Sequence, residues 1–389
     1  MDKIEELLTR GVQNIIPSKE KLRELLASGK KLNVYLGIDP TATHIHIGNA
    51  VPLRKLQAFA ELGHNVTFLI GDFTALIGDT SDKDAERPVL TSEQIQKNFE
   101  TYKSQAEKIL DFKKVKVHFN SEWLKNLSFA DIIKLTQHFS AGDFVGRELI
   151  KKRLVEGKKV GLHELFYPVM QGYDSWFLDT DIQLGGTDQT FNMQAGRVLQ
   201  KDLRGKESFI IANRFLEGTD GRKMSKSWGN AIWLTDEPND MFGKVMSLKD
   251  ELIISYFTLT TDLPMEHINI IKKRLASGEN PMHIKKELAH QIVLELHNTE
   301  AANAARKEFE LRFQKGDLSQ VDLPLITAAG TVSETLTQAG LAESRSEAKR
   351  LINQRAVKWN NQLLTSDTLP SDRKSGDIIK AGRKAARLQ

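Results

Sequence analysis

The chain has no cysteine, only 10 prolines and only 7% aromatic residues in 389 positions. Missing thiols exclude disulfides and every thiolate metal site. The 10 histidines show no HExxH-type pairing that would replace them, so no structural zinc is expected. No run approaches the roughly 18 apolar residues of a membrane span. Residues 1–10 carry acidic side chains and no secretory apolar core, so the cytoplasm is the expected location.

What is present is length and an uneven charge. The 389 residues exceed what one hydrophobic core usually serves, and two or three domains are expected. Net charge is +4 overall, yet residues 331–389 alone carry 11 Lys+Arg against 6 Asp+Glu. A basic tail suits a polyanion-binding appendage, with a solvated basic face as the alternative.

Residues 32–39 (LNVYLGID) read as an apolar strand, followed by the loop PTATHIHIG and a helical pattern with Leu53, Leu56, Phe59 and Ala60. Pro52 is expected in the first turn of that helix, and Gly63 supplies its stop. Residues 65–70 (NVTFLI) form a second strand, making a βαβ unit and the start of a Rossmann-like parallel sheet. Residues 90–154 read as a helical insertion with one strand candidate at 115–119. Strand candidates at 181–184 and 208–212 then lead into GGTDQ (185–189) and into the loop holding KMSKS (223–227). Two junctions from strand through glycine to helix imply one composite site.

Residues 236–313 read as helical throughout, and 314–330 as a linker. In the tail, Ser344 and Glu347 form a capping-box pattern before a helix, and AVKWNNQLL reads as strand, Asn-Asn turn, strand.

At the first junction His46, Gly48 and Asn49 fall where a helix begins. Backbone N–H groups and the helix dipole there face an anion, and two side chains can donate to it. Gly48 lets a ligand approach the backbone. Taken alone the segment is weak evidence, and a structural turn explains it better than a nucleotide site does. The second segment, GRKMSKS, sets Lys223 and Lys226 three apart between the hydroxyls of Ser225 and Ser227, mobile charge suited to a pyrophosphate leaving group. Tyr167, Gln171 and Asp174 fall at i, i+4 and i+7, which is one face of a helix if Pro168 opens it.

HIHIGN (44–49) resembles the HIGH signature of class I aminoacyl-tRNA synthetases, and KMSKS matches their second signature in full. YLGIDPT (35–41), LIGDTS (76–81), YPVMQGYD (167–174) and GGTDQ are similar to segments of bacterial tyrosyl-tRNA synthetases. The last 59 residues resemble the ribosomal-protein-type RNA-binding domain these enzymes often carry.

The resemblance implies an α/β catalytic domain over 1–232, a Rossmann-like parallel sheet with a helical insertion. It implies an all-α anticodon-region domain over 233–320 and a small α+β RNA-binding domain over 331–389. The implied reaction joins tyrosine to the α-phosphate of ATP, with magnesium on the nucleotide, and then passes the tyrosyl group to the 3′ adenosine of tRNA. His46, Asn49, Lys223 and Lys226 would stabilise the transition state, and Lys83 and Arg87 are weaker phosphate candidates. Tyr167, Gln171 and Asp79 would hold the α-ammonium, and Tyr35 and Asp174 the phenolic hydroxyl. Gly37, Asp39, Gly48, Gly186, Asp188 and Gln189, with Met224 and Lys226, match positions near ATP or the aminoacyl group. Asp188 would meet ribose, or else cap a helix. Arg345, Lys349, Arg350 and Arg355 would track RNA phosphates, and a homodimer through the helical insertion is implied. Asn49 departs from the usual second histidine but remains a donor, and glycine spacing makes His46 rather than His44 the first motif histidine. Two other readings stay open: a tryptophan-activating enzyme, against which Tyr35 with Asp174 argues, and a catalytically silent RNA-binding paralogue, against which the two lysines argue.

Overall fold

The protein is described by a computed structural model covering residues 2–41, 43–78, 91–225, 228–315, 318, 321, 323–382 and 384–389. Contacts divide the chain into two compact units, Met1–Arg306 and Lys307–Gln389.

The first unit is built on a six-stranded sheet: β1 (Val12–Ile16), β2 (Asn33–Ile38), β3 (Asn65–Ile70), β4 (Val115–Phe119), β5 (Ile182–Gly186) and β6 (Phe209–Asn213), in the order β1-β6-β5-β2-β3-β4. Every pair is parallel except β1 against β6. Such strands are covered on both faces, which is why NVTFLI and FIIAN run apolar without alternation. The expected βαβ unit is β2, the helix Ile47–Glu61 and β3, in register from Asn33 opposite Asn65 to Ile38 opposite Ile70. Gly63 closes it at φ +84°, a conformation open to glycine without strain. Strand order reverses between β2 and β5, so a crevice opens at their carboxyl ends.

In this unit three expectations change and one strand is new. Pro52 is not in the first turn: the helix starts at Ile47, and Pro52 sits in its interior. The early start comes from a cap, because His46 accepts from the Asn49 amide and Asn49 returns the bond to His46 N–H. That reciprocal pair offsets the intrahelical bond a proline cannot make. Likewise Pro168 does not open its helix, which runs Leu162–Phe177. The strand at 115–119 belongs to no separate insertion, since it forms the sheet edge beside β3. Finally β1, absent from the sequence reading, adds an antiparallel edge beside β6.

Residues 238–306 are helical, with Pro238–Met246 packed on Pro281–Leu296. The second unit carries its own sheet, β7 (Leu325–Ile326), β8 (Val357–Trp359), β9 (Gln362–Leu363), β10 (Ile378–Ala381) and β11 (Lys384–Leu388), in the order β7-β11-β10-β8-β9. Val332, Leu336, Ala348, Ile352, Val357 and Trp359 share its core. Ser344 caps the helix Arg345–Asn353, but the expected box does not close, because Glu347 accepts from Glu343 N–H; Asn360 and Asn361 turn the β8–β9 hairpin at positive φ. The stretch expected as a linker is partly packed: Leu318, Val321 and Leu323 are buried with Leu311 and Ala385.

Candidate active site

At the crevice lies a cleft of about 350 Å³. β2 brings Tyr35, Gly37 and, just past its end, Asp39 to the wall. The helix Leu162–Phe177 brings Tyr167, Gln171 and Asp174, whose spacing puts them on its inner face whichever residue opens it. His46, Gly48 and Asn49 come from the capped helix start. Gly186, Asp188 and Gln189 come from the end of β5 and the turn after it, and Lys223 and Met224 from the loop beyond β6. Asp79, Lys83, Arg87 and Lys226 lie outside the described residues.

The inner end is a buried polar network. Asp174 is buried, and its Oδ1 accepts from Trp123 Nε1 at 2.7 Å and its Oδ2 from Asn120 Nδ2 at 3.1 Å. Asn120 also donates to Thr74 Oγ1 at 3.0 Å, Thr74 donates to Asp39 Oδ1 at 2.7 Å, and Tyr167 donates to Asp39 Oδ2 at 2.8 Å. Tyr35 donates to Gln183 Oε1 at 3.2 Å. Burial raises the Asp174 carboxyl to about 7, despite the two N–H donors that pull the other way. Burial, and then the Asp174 charge, push the Tyr35 phenol well above its ordinary value. Gly71 is required where it stands, because a Cβ there would lie 2.0 Å from Asp39 Oδ1 and 2.3 Å from Thr74 Oγ1.

At the mouth, the cap fixes the chemistry of His46. Nδ1 accepts from the Asn49 amide at 3.2 Å, so in the neutral ring the proton sits on Nε2. Burial and then the Lys223 charge lower the imidazole pKa to about 4, which keeps it neutral at pH 7. Asn49 Oδ1 accepts from His46 N–H at 3.3 Å, leaving the amide nitrogen as the donor end. Of the first-turn backbone amides, that of Ile47 goes to Ile232 O and that of Asn49 to His46. The Gly48 amide between them takes no partner among the described residues. An anion approaching this helix start therefore meets the Gly48 N–H and two side-chain donors.

The lysine loop is organised by a residue the sequence reading passes over. Asn230 is buried; its Oδ1 accepts from Ser225 N at 2.9 Å, and its Nδ2 donates to Lys223 O at 3.1 Å and Asp220 Oδ1 at 2.8 Å. These bonds and the Arg222 guanidinium hold the Asp220 carboxyl well below its usual range. Beyond Asn230 the chain pairs with the HIHIGN segment, Ile47 N donating to Ile232 O at 2.8 Å and Leu234 N to Ile45 O at 2.9 Å. The stretch that follows the second signature is thus tied by backbone to the first, and residues of both signatures line one cleft. His44 lies outside the cleft, edge-on to Trp233 with ring centroids 5.9 Å apart. Asp188 does not cap the next helix: it sits in the 3-10 turn Thr187–Gln189, and Gln189 takes the cap position.

Thr74, Asn120, Trp123, Gln183 and Asn230 escaped the sequence reading. Only Gln183 left a signal, a polar residue inside an otherwise apolar strand. In the second unit Arg345, Lys349 and Arg350 lie on one helix with exposed side chains, and each faces an acid, Glu334, Asp367 and Glu347 respectively. Arg355 follows at φ +55°.

A parallel sheet with two glycine junctions opening on one cleft, one capped by HIHIGN and the other followed by a lysine loop, defines a nucleotide-activating enzyme of the class I synthetase kind. Residues 27–314 match the family of class I tRNA synthetases for tryptophan and tyrosine, and residues 334–369 match the S4 domain. The chain belongs to that class I family and carries a C-terminal S4 domain. It is 44% identical over 98% of its length to the tyrosine–tRNA ligase of Moorella thermoacetica, covering 94% of that protein. It is likewise 44% identical over 98% of its length to the tyrosine–tRNA ligase of Haemophilus influenzae, covering 96% of it. Among solved structures it is similar to a truncated Aspergillus nidulans mitochondrial tyrosyl-tRNA synthetase (TM-score 0.68, 21% identity, 80% of this chain and 94% of that one). It is also similar to the Archaeoglobus fulgidus tyrosyl-tRNA synthetase crystallised with L-tyrosine (TM-score 0.62, 21% identity, 78% and 100%). At those identities the structures speak for the fold.

Proposed function

We propose that this chain is a tyrosine–tRNA ligase. It activates L-tyrosine with ATP to tyrosyl-adenylate and pyrophosphate, then transfers the tyrosyl group to the 3′ end of tRNA(Tyr). The observation that carries the choice of amino acid is the pairing, at the inner end of one cleft, of Tyr35 with a buried Asp174. A phenol O–H finds an acceptor there, whereas phenylalanine brings no donor to the acceptor sites left open; this family is a standard illustration of that kind of rejection. Tyr167, Gln171 and Asp79 hold the α-ammonium in this reading, and Gly37, Asp39, Gly186, Asp188, Gln189 and Met224 border the nucleotide.

The carboxylate of tyrosine attacks the α-phosphate in line and pyrophosphate leaves, so no protein nucleophile is needed. Charge grows on phosphate oxygens, and the protein's contribution is donors already in place. His46 Nε2, the Asn49 amide and the Gly48 N–H meet it from the helix start, and Lys223 and Lys226 meet it from the loop. Magnesium would accompany the triphosphate and help neutralise the charge that develops on its oxygens.

The helices of 238–306 would meet the anticodon region, and Arg345, Lys349, Arg350 and Arg355 would follow RNA phosphates. The enzyme works as a homodimer in the cytoplasm. What supports the dimer is the exposed apolar side chains in and beside the expected insertion, Phe129 at 78%, Val155 at 80% and Leu162 at 71%. No helix among the described residues is long and apolar enough to cross a membrane. Light scattering should give twice the chain mass, and a monomer at micromolar concentration would contradict the dimer. Cell fractionation should leave the activity in the soluble fraction.

Amino-acid-dependent ATP–pyrophosphate exchange tests the central claim. Exchange should require tyrosine; exchange with tryptophan alone would overturn the assignment.

A further inference from the structure

We propose that Gln183 is a positioning residue that sets the direction of the Tyr35 hydroxyl, so that the inner end of the cleft selects a ring bearing a hydrogen-bond donor at its para position. This rests on the reading that Tyr35 and Asp174 face the substrate ring.

Gln183 lies on β5, opposite Tyr35 of β2, and is completely buried. Its Nε2 donates to Met193 O at 2.9 Å. A backbone carbonyl only accepts, so the amide cannot be turned around without stranding that oxygen, and Oε1 must point toward Tyr35. Tyr35 O–H donates to that Oε1 at 3.2 Å. Space for this amide is built into the neighbouring helix, Thr190–Arg204. Gly196 stands there, and a Cβ would lie 2.6 Å from Gln183 Oε1 and 2.9 Å from its Nε2. Any larger residue at 196 would displace the amide.

The consequence is one of polarity. A phenol has a single proton, and that of Tyr35 is committed to Gln183, so on the cleft side its oxygen can only accept, as it does from Gln171. Asp174 has both oxygens engaged by N–H donors, from Trp123 and Asn120, and its remaining sites are acceptors when it is ionised. Two acceptors thus converge on the ring's para position. A para O–H or N–H is welcomed, and a para group that only accepts is met by like polarity.

Pyrophosphate exchange at pH 8, where Asp174 is ionised, tests this in the unmodified enzyme with tyrosine, phenylalanine, 4-aminophenylalanine and 4-fluorophenylalanine. The amino compound should exceed phenylalanine in kcat/KM by about tenfold, roughly one hydrogen bond, and the fluoro compound should not exceed it. Equal use of the fluoro and amino compounds would overturn the proposal. Gln183→Met keeps the volume and loses the acceptor. It should lower the tyrosine-to-phenylalanine ratio of kcat/KM about tenfold with the KM for ATP unchanged, and should add nothing in a Tyr35→Phe background. A purely structural role would slow both amino acids alike and leave the ratio where it was. If the unmodified enzyme shows no tyrosine-dependent exchange, the ligase reading itself fails. If exchange is normal and the analogue order is wrong, only the role of Gln183 fails.

Discussion

His46 has two jobs that substitution can separate. It caps the helix Ile47–Glu61 through Nδ1, and it presents Nε2–H to the cleft. His46→Ala removes both. Thermal or urea unfolding should show a loss of about 1 kcal/mol, typical of a lost cap, and exchange kcat should fall roughly 10²–10³-fold, as for one oxyanion donor. His46→Asp restores a good cap but brings a negative charge to the phosphates, so stability should return and exchange should not. Asp174 makes a second residue-scale prediction. Its carboxyl titrates at about 7 when folded and at about 3.9 in an unfolded chain. Between those values the folded state holds a proton that the unfolded state has released, so this group lowers stability as pH rises from 4 to 7. His46, lowered to about 4, acts in the opposite sense over pH 4 to 6.5. The difference between wild type and Asp174→Asn isolates the first effect: the variant should gain on the wild type by about 4 kcal/mol between pH 4 and 8. A constant difference across that range would contradict the raised pKa.

At the scale of elements, the lysine loop takes its shape from Asn230 rather than from its own residues. One buried side chain holds Ser225 N, Lys223 O and the Asp220 carboxylate. Gly218 leaves room for it, since a Cβ there would lie 2.4 Å from Asn230 Nδ2. Asn230→Ala frees the loop while leaving the inner cleft alone. Steady-state exchange should show kcat falling at least tenfold, in line with lost preorganisation, with little change in KM for tyrosine. A rise in tyrosine KM with kcat intact would show the loop to be held by other means. The helix that carries Tyr167, Gln171 and Asp174 is anchored differently. At its start the buried Glu164 accepts from Arg153 Nη1 at 2.6 Å and Nη2 at 3.1 Å, and also from Gly161 N–H at 2.7 Å. Removing one member of such a pair strands the other charge, which is why pairs of this kind are costly to break. Sequence periodicity found this helix and its polar face, but a partner 11 residues away left no pattern to read.

At the scale of the whole molecule, the two compact units divide at Arg306. A truncation at residue 331 would strip Ala385 from the cluster that buries Leu318, Val321 and Leu323. A cut after Arg306 is cleaner, because it removes that cluster entire. The shortened chain should keep tyrosine-dependent exchange within about twofold, lose most tRNA charging, and show a shallower dependence of charging on salt, as fewer phosphates are neutralised. Unchanged charging with an unchanged salt slope would place RNA binding elsewhere.

The sequence alone determined the parts whose cause is local. Strand–helix alternation, the glycine stop at Gly63, the Ser344 cap, the Asn-Asn hairpin and both signature segments follow from propensities and spacings within a few residues. Tertiary structure decided what depends on distant partners. It placed β1 antiparallel on β6 and made β4 a sheet edge, because strand pairing is set by neighbours far along the chain. It joined Thr74, Asn120, Trp123 and Asp174 into one network, and it turned Gln183 toward Tyr35 across 148 positions of sequence. Burial did the rest: the same carboxyl or imidazole has an ordinary pKa in the open chain, and only the fold removes the water that keeps it there.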